Sequence, residues 1–182
     1  MARPPANENY ILVTATAPQS NSPLTALTKR ISECGCTLLE ARHVALGGHL
    51  SIAMLAMGSW DAVAKLESSG ARMEREDGIR THLQRTTAKT MAGDLLPYSV
   101  EVVAADKPGI LFQLVEFFNR HAIAIDSLSA SRFKAMQTGA DMFTAQIQIG
   151  IPAKTHLASL RDDFMEFSDE LNLDAIMDPV KL

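Results

Sequence analysis

The chain carries the same pattern of apolar residues twice, and this repeat restricts the possible folds more than any other feature of the sequence. The first copy begins near Tyr10 and the second near Tyr98. Each copy opens with a run typical of a strand, over 10–16 and 98–104, and passes through a turn containing proline into residues at helical spacing. Because self-similarity of this kind indicates repeated units, the sequence predicts two copies of one fold.

The helical spacing is the same in both copies. Apolar positions step by three, four and three residues, which keeps one face of each helix toward a core. These positions are Leu24, Leu27, Ile31 and Cys34 in the first copy and Leu111, Leu114, Phe118 and His121 in the second. Two strand patterns follow in each copy, over 36–46 and 50–57 in the first and over 123–133 and 142–149 in the second.

A second helix and a last strand complete each copy. In the first copy Ser59 is expected to cap the helix, and Trp60, Val63 and Leu66 are expected to face inward. In the second copy an apolar stripe follows Pro152. The stripe consists of Leu157, Leu160, Phe164, Phe167 and Leu171. The last strands are predicted over 78–85 and 173–177.

The order of elements in each copy is therefore β-α-β-β-α-β. This order is typical of the ferredoxin-like arrangement, in which four antiparallel strands carry both helices on one face of the sheet. The sequence predicts an α+β protein of two tandem ferredoxin-like domains, over 8–86 and 97–180, joined by a polar linker over 87–96. Sheet surface left without a helix favours a homodimer.

Charge and hydropathy disfavour two classes of partner. The net charge is −4 and no basic cluster stands out, whereas direct binding to nucleic acid relies on a basic face. No apolar run reaches the roughly 18 residues that span a bilayer, so no membrane association is expected. The N-terminal residues lack the apolar core of a signal peptide, which favours a cytoplasmic protein.

No constellation typical of an enzyme stands out in the sequence. The nucleophile-elbow and phosphate-loop motifs are absent, and the five histidines form no close metal-ligand pair. Cys34 and Cys36 flank Gly35, but a zinc site normally takes four ligands and the chain has no other cysteine. We favour small semi-buried thiols over metal or redox chemistry, and we predict a non-catalytic protein without a cofactor.

The turn "DKPG" after the first strand of the second copy is the strongest candidate site. Pro108 and Gly109 suit a type II turn, which would direct the amides of Ile110 and Leu111 out of the helix start. Such amides favour an anion, including the carboxylate of an amino acid, and Asp106 could attract an ammonium group. Considered alone, the motif also suits a turn with no ligand.

In this frame the second copy resembles an ACT domain, a small ligand-sensing module of amino-acid metabolism. The resemblance rests on "ADKPGIL", on the helix "LFQLVEFFNRHAI" and on the following strand "IAIDSLSASR". It implies ligand contacts from Asp106, Lys107, Pro108, Gly109, Ile110 and Leu111, and from Ile123, Ile125 and Asp126 of an adjacent domain. The first copy has "APQSNSPL" instead, where Ser20, Asn21, Ser22 and Leu24 would be ligand contacts or where the polar residues would cap the helix.

The pair of ACT-like copies resembles the glycine cleavage system transcriptional repressor family. The resemblance implies a protein that senses an amino acid, with glycine as the candidate, and acts on a LysR-type transcriptional activator rather than on DNA. The alternative is a ligand-free ACT module that assembles with a metabolic enzyme and regulates it. The divergent turn of the first copy favours this alternative.

Overall fold

The computed structural model describes residues 8–87 and 94–180 of the chain. The chain divides into two compact units, Met1–Thr90 and Met91–Leu182, and each unit has its own hydrophobic core. Most of the linker predicted over 87–96 lies outside the described residues, at 88–93. The first strand of the second unit begins at Leu95, within the range predicted for the linker.

The N-terminal unit contains one antiparallel sheet, built from four strands and accompanied by three α-helices within 8–87. They are β1 (Asn9–Pro18), α1 (Pro23–Glu33), β2 (Thr37–Leu46), β3 (His49–Gly58), α2 (Trp60–Ser68), α3 (Gly70–Asp77) and β4 (Arg80–Thr86). A 3-10 turn, Gln19–Asn21, connects β1 to α1. The strand order is β2-β3-β1-β4, which is the ferredoxin-like order that the sequence predicts.

The C-terminal unit contains a second sheet of the same topology. Its elements within 94–180 are β5 (Leu95–Ala105), α4 (Ile110–Arg120), β6 (Ala124–Lys134), β7 (Asp141–Pro152), α5 (Leu157–Leu171) and β8 (Asp174–Pro179). The strand order is β6-β7-β5-β8, again fully antiparallel. None of the helices α1–α5 is long and apolar enough to cross a membrane.

The helices cover one face of each sheet because the central strands alternate between apolar and more polar residues. In β1 the buried residues are Ile11, Val13, Ala15 and Ala17, and in β5 they are Tyr98, Val100, Val102 and Ala104. The intervening side chains lie on the opposite face, which carries no helix of its own unit. The two-domain α+β prediction is confirmed.

The two tyrosines that begin the predicted repeats are not equivalent. Counting back from the first residues of α1 and α4, Ile11 corresponds to Tyr98. Tyr98 is buried on the helix-covered face, whereas Tyr10 lies on the opposite face of its sheet. Shifting the alignment of the two copies by one residue would move every side chain of a strand to the other face of the sheet. The structure is therefore needed to align the copies.

Helix α3 was not predicted from the sequence. It occupies the charged stretch "GARMERED", in which Met73 is the one apolar residue that becomes buried. Gly78 ends the helix in the left-handed conformation, and the Ile79 amide donates to the Met73 carbonyl. The sequence pattern that could have predicted this helix was one methionine followed by a terminating glycine. A single apolar residue does not establish a helical periodicity.

The prediction for helix α2 is correct at three positions and wrong at one. Ser59 caps the helix by accepting a hydrogen bond from the Ala62 amide, and Val63 and Leu66 are buried. Trp60, however, is the first residue of the helix and is 63% exposed. Its ring packs against the guanidinium of Arg85, 5.6 Å from the ring centroid.

Candidate functional site

The "DKPG" segment forms the turn that its sequence predicts. Gly109 has φ 85° and ψ −1°, values that match the third position of a type II turn. The Ile110 amide donates to the Lys107 carbonyl over 3.4 Å, which closes this turn. A side chain at Gly109 would meet no atom within 4 Å, so glycine is needed here for its backbone conformation and leaves open space above the turn.

The start of helix α4 directs unused amide groups away from the turn. The first helical bond runs from the Gln113 amide to the Gly109 carbonyl over 3.0 Å, and no side chain caps the helix. The amides of Leu111 and Phe112 precede that bond and favour an anion in front of them. The Ile110 amide, which the sequence placed in this group, is used by the turn itself.

A cleft of about 460 Å³ lies beside this helix start. The turn and the first residues of α4 form one wall, while strands β6 and β7 form the other. The lining residues are Asp106, Lys107, Pro108, Gly109, Ile110, Leu111, Phe112, Ala130, Ser131, Arg132 and Phe143. All six predicted residues of the turn and helix start therefore line one cleft, of a size typical for small-molecule sites.

An ion pair crosses this cleft. The carboxylate of Asp106, whose side chain is largely buried, pairs with the exposed guanidinium of Arg132 from β6. The sequence singled out Asp106 but missed Arg132, because only the pairing of β6 with β7 brings this strand beside the turn. The cleft consequently presents a negative and a positive group together, in addition to the helix amides.

The other predicted residues of the second copy lie outside this cleft. Ile123 is buried and Ile125 is half-buried, and both line a second cleft of about 390 Å³ between α4 and the start of β6. Phe112 lines both clefts. Asp126 is exposed at an irregularity in the pairing of β6 with β7. Within the unit, these three residues and the turn therefore do not share one cavity.

The matching turn of the first copy offers fewer amide donors. Ser22 occupies the position of Gly109 and is also left-handed, with φ 46°. The next residue, Pro23, has no amide proton, and the Thr25 amide donates to the Ser22 carbonyl over 3.1 Å. No side chain caps α1, so the expectation that Ser20, Asn21 or Ser22 caps this helix is wrong. The left-handed backbone at Ser22 differs from the extended conformation that capping residues adopt.

Asn21 instead connects this turn to the end of helix α3. Its side-chain amide donates to the Asp77 carbonyl over 3.1 Å, and Ser20 donates to the Asn21 side-chain oxygen over 3.1 Å. Leu24 packs partly buried against the core. The side chains of Ser20 and Asn21, which the sequence suggested as ligand contacts, thus bond to each other and to the end of α3.

Replacing Asn21 by alanine should destabilise the N-terminal unit. The variant loses the hydrogen bond to the Asp77 carbonyl, and for this exposed bond we expect a cost of about 0.5–1 kcal/mol. Calorimetry of the full chain should show a lower melting temperature for one transition. Gln19→Ala, an exposed amide in the same 3-10 turn, is the control and should have no effect. Equal effects of both substitutions would contradict this role for Asn21.

Cys34 is half-buried and Cys36 is buried, and both are free thiols. Burial raises the pKa of both Cys34 and Cys36 above the usual value, so the protonated form dominates at neutral pH. Metal ligation requires the thiolate form, which this environment disfavours. Within 8–87 and 94–180, no three residues of the types His, Cys, Asp and Glu are placed together to hold a metal ion.

Comparison with known protein families identifies the N-terminal unit. Residues 9–84 match the model of the ACT domain. This is the copy whose turn departs from "DKPG", so the match rests on the domain as a whole rather than on that motif.

Curated relatives match almost the full length of the chain. It is 26% identical over 167 residues to the glycine cleavage system transcriptional repressor of Escherichia coli K12, covering 92% of this chain and 88% of the relative. The glycine cleavage system transcriptional repressor of Shigella flexneri matches with the same identity and coverage.

Solved structures share the two-unit fold. A crystal structure of a candidate glycine cleavage system transcriptional repressor has a TM-score of 0.76 at 19% identity, covering 96% of this chain and 99% of the other. An unknown protein from Galdieria sulphuraria has a TM-score of 0.77 at 15% identity, with the same coverage. At these identities the likeness concerns the fold alone.

Proposed function

We propose that this chain is an amino-acid-sensing regulator, because residues 9–84 match the ACT domain, both units have the same strand order, and the chain is 26% identical to glycine cleavage system transcriptional repressors. In this proposal it is non-catalytic and cytoplasmic, and it binds a free amino acid in the cleft beside helix α4. It then represses transcription of a glycine cleavage system through a protein partner.

The cleft beside the turn is the observation that carries this proposal. A free amino acid has an ammonium and a carboxylate group on one carbon, and the cleft presents groups of both signs close together. The unused amides of Leu111 and Phe112, together with Arg132, suit the carboxylate, while Asp106 suits the ammonium group. Because the Arg132 guanidinium is exposed, a free amino acid can reach this pair and offer each partner a group of opposite charge.

The turn residues have distinct roles in this proposal. Pro108 and Gly109 hold the backbone so that the helix start faces open space. The backbone carbonyl of Lys107 accepts the hydrogen bond that closes the turn. Ile110 anchors the turn in the core, because its side chain is buried. Ile123, Ile125 and Asp126 would contact the ligand of a neighbouring copy, as the resemblance to ACT domains implies.

A protein partner suits the charge of the chain better than DNA does. The net charge is −4, and binding to DNA would need a basic face large enough to neutralise several phosphates. We propose a LysR-type transcriptional activator as the partner. A ligand that binds one state of the regulator more tightly than another shifts the population that the partner meets.

A thermal-shift screen of the full chain against the twenty amino acids tests the proposal. A ligand that binds only the folded state stabilises it by about 2.7 kcal/mol at 100 times its Kd. We expect a selective rise in melting temperature, with glycine or another small amino acid giving the largest shift and calorimetry confirming the binding. No shift with any of the twenty, at millimolar concentration, would contradict amino-acid sensing.

The second candidate function is a ligand-free module that regulates a metabolic enzyme. The hydrogen bond from Asn21 to the end of α3 favours it, since that bond uses the side-chain amide that would otherwise contact a ligand of the first copy. This function predicts co-purification with an enzyme and an unchanged complex when amino acids are added. A complex that dissociates on addition of the amino acid found in the screen would support the sensor instead.

A further inference from the structure

Each sheet has an open face, on the side opposite the helices of its own unit, and the two open faces differ in charge. We name the open face of the N-terminal sheet the basic face; its charged side chains are Glu40, Arg42 and Arg80, with His82 beside them. We name the open face of the C-terminal sheet the acidic face; its charged side chains are Glu101, Asp174 and Asp178. Within the described strands β5–β8, no lysine or arginine projects from the acidic face.

The basic face contains a depression of about 580 Å³. Strand pairing places four small side chains next to one another at its centre, so the surface is recessed there. They are Thr14 and Ala53 in one row and Thr16 and Ser51 in the next. The residues that line the depression all belong to strands, which places it on the open side of the sheet.

Longer side chains border the depression at both edges of the sheet. Arg42 and Val44 of β2 continue the two rows on one side, and His82 and Arg80 of β4 continue them on the other. Arg80 is highly exposed, and its nearest acid is Glu74 at 3.7 Å. The border of the depression therefore carries two guanidinium groups and one imidazole, and Arg42 also pairs with Glu40 of the same face at 3.2 Å.

The acidic face carries larger residues at the four equivalent central positions. Thr14 and Thr16 correspond to Glu101 and Val103, because both pairs follow the same buried positions of β1 and β5. The residues paired with them on β7 are Gln146 and Thr144. Side chains at the centre of the acidic face therefore extend further from the sheet than those at the centre of the basic face.

The edges of the two faces also differ at equivalent positions. Arg80 pairs with Thr16 on the basic face, and Asp174 pairs with Val103 on the acidic face. In the same way, His82 corresponds to Ile176, which is 55% exposed. One scaffold position thus carries opposite charges in the two copies.

From this complementarity we propose that the basic face of one chain packs against the acidic face of a second copy of the chain. Val103 and Ile176, which are exposed apolar residues, would enter the depression and be removed from water. Arg80 and Arg42 would lie opposite acidic side chains such as Asp174 and Glu101. Two sheets pack face to face in this manner in sandwiches, with about 10 Å between them.

This contact goes beyond the proposed function, since it needs no amino acid and uses none of the residues of the cleft. The contact joins two different faces. It can therefore occur twice in a closed dimer or repeat along a longer assembly of copies. Because charged groups contribute to it, association should weaken as salt concentration rises.

Sedimentation equilibrium of full-chain charge-reversal variants tests the contact. We expect the unsubstituted protein to associate, and we expect R80E and D174R each to weaken association by about tenfold or more through like-charge repulsion. The double variant R80E/D174R should recover association, because it exchanges the charges across the contact. Mixing the two single variants should also recover it, which requires that the contact join separate chains.

Lys29→Glu is the matched control. Lys29 is an exposed cation on helix α1, on the helix-covered side of its own sheet, and it pairs with Glu33 at 3.7 Å. Its reversal should leave association unchanged. A monomer at all concentrations, equal weakening by K29E, or no recovery in the double variant would each overturn the proposal. The amino-acid shift of R80E reports separately on the proposed function, since Arg80 belongs to the N-terminal unit and does not line the cleft of the C-terminal unit.

Discussion

Replacing Gly109 by valine is expected to abolish the stabilisation of the protein by its amino acid. At 100 times the Kd the unsubstituted protein should gain about 2.7 kcal/mol, which corresponds to a rise of about 10 °C or more for a domain of this size. The valine side chain would occupy the open space in front of the helix amides. It would also strain the backbone, because a β-branched residue at φ 85° is strongly disfavoured.

Gly139→Val is the matched control for this substitution. Gly139 also has a positive φ, 68°, and a side chain there would meet no atom within 4 Å, but it lies in the loop between β6 and β7. Both variants should lose about 1–3 kcal/mol of stability through backbone strain. Only Gly109→Val should lose the response to ligand. If Gly109→Val keeps the full shift, the ligand does not bind in front of this turn.

Replacing Phe118 by alanine should give the largest loss of stability among the substitutions considered. Phe118 is fully buried, and its ring packs at 5.3 Å from Phe117 and 5.8 Å from Phe164, measured between ring centroids. Removal of a buried phenylalanine ring costs about 3–5 kcal/mol, since contacts are lost and a cavity remains. The melting temperature of the C-terminal unit should fall by more than about 10 °C.

The same substitution tests whether the two cores are independent. Because the buried residues form one cluster in each unit, Phe118→Ala should lower one calorimetric transition and leave the other in place. The reciprocal variant is Ile31→Ala, which truncates the equivalent position of helix α1 and should lower the other transition. Phe112→Ala, an exposed ring on the same helix as Phe118, should change stability little. A single transition that shifts in all of these variants would contradict independent cores.

The fold and the turn could be predicted from the sequence because their signals are local. The spacing of Leu111, Leu114 and Phe118 places residues on one side of a helix whatever surrounds it. The conformation of Gly109 likewise follows from the turn itself, since Pro108 restricts its own backbone and glycine permits a positive φ. The first copy of the turn was harder to interpret, because serine at position 22 reaches the same conformation without a glycine.

The residues that complete the candidate site could not be predicted, because they meet through strand pairing. Arg132 reaches Asp106 only because β6 pairs with β7, and a change of one residue in that register would move its side chain to the other face. Asn21 meets the Asp77 carbonyl across more than fifty residues of chain, at the end of a helix that the sequence did not predict.

The sequence by itself determined that this chain forms two β-α-β-β-α-β units and that one of them carries a type II turn before a helix. Tertiary structure decided which groups surround that turn, which face of each sheet carries no helix of its own unit, and that Arg80 and Asp174 occupy equivalent positions on these two faces. The physical reason is the distance along the chain over which each kind of interaction acts. Periodicity and turn preferences act within a few residues, whereas the neighbours of a side chain depend on strand register and on the packing of distant elements.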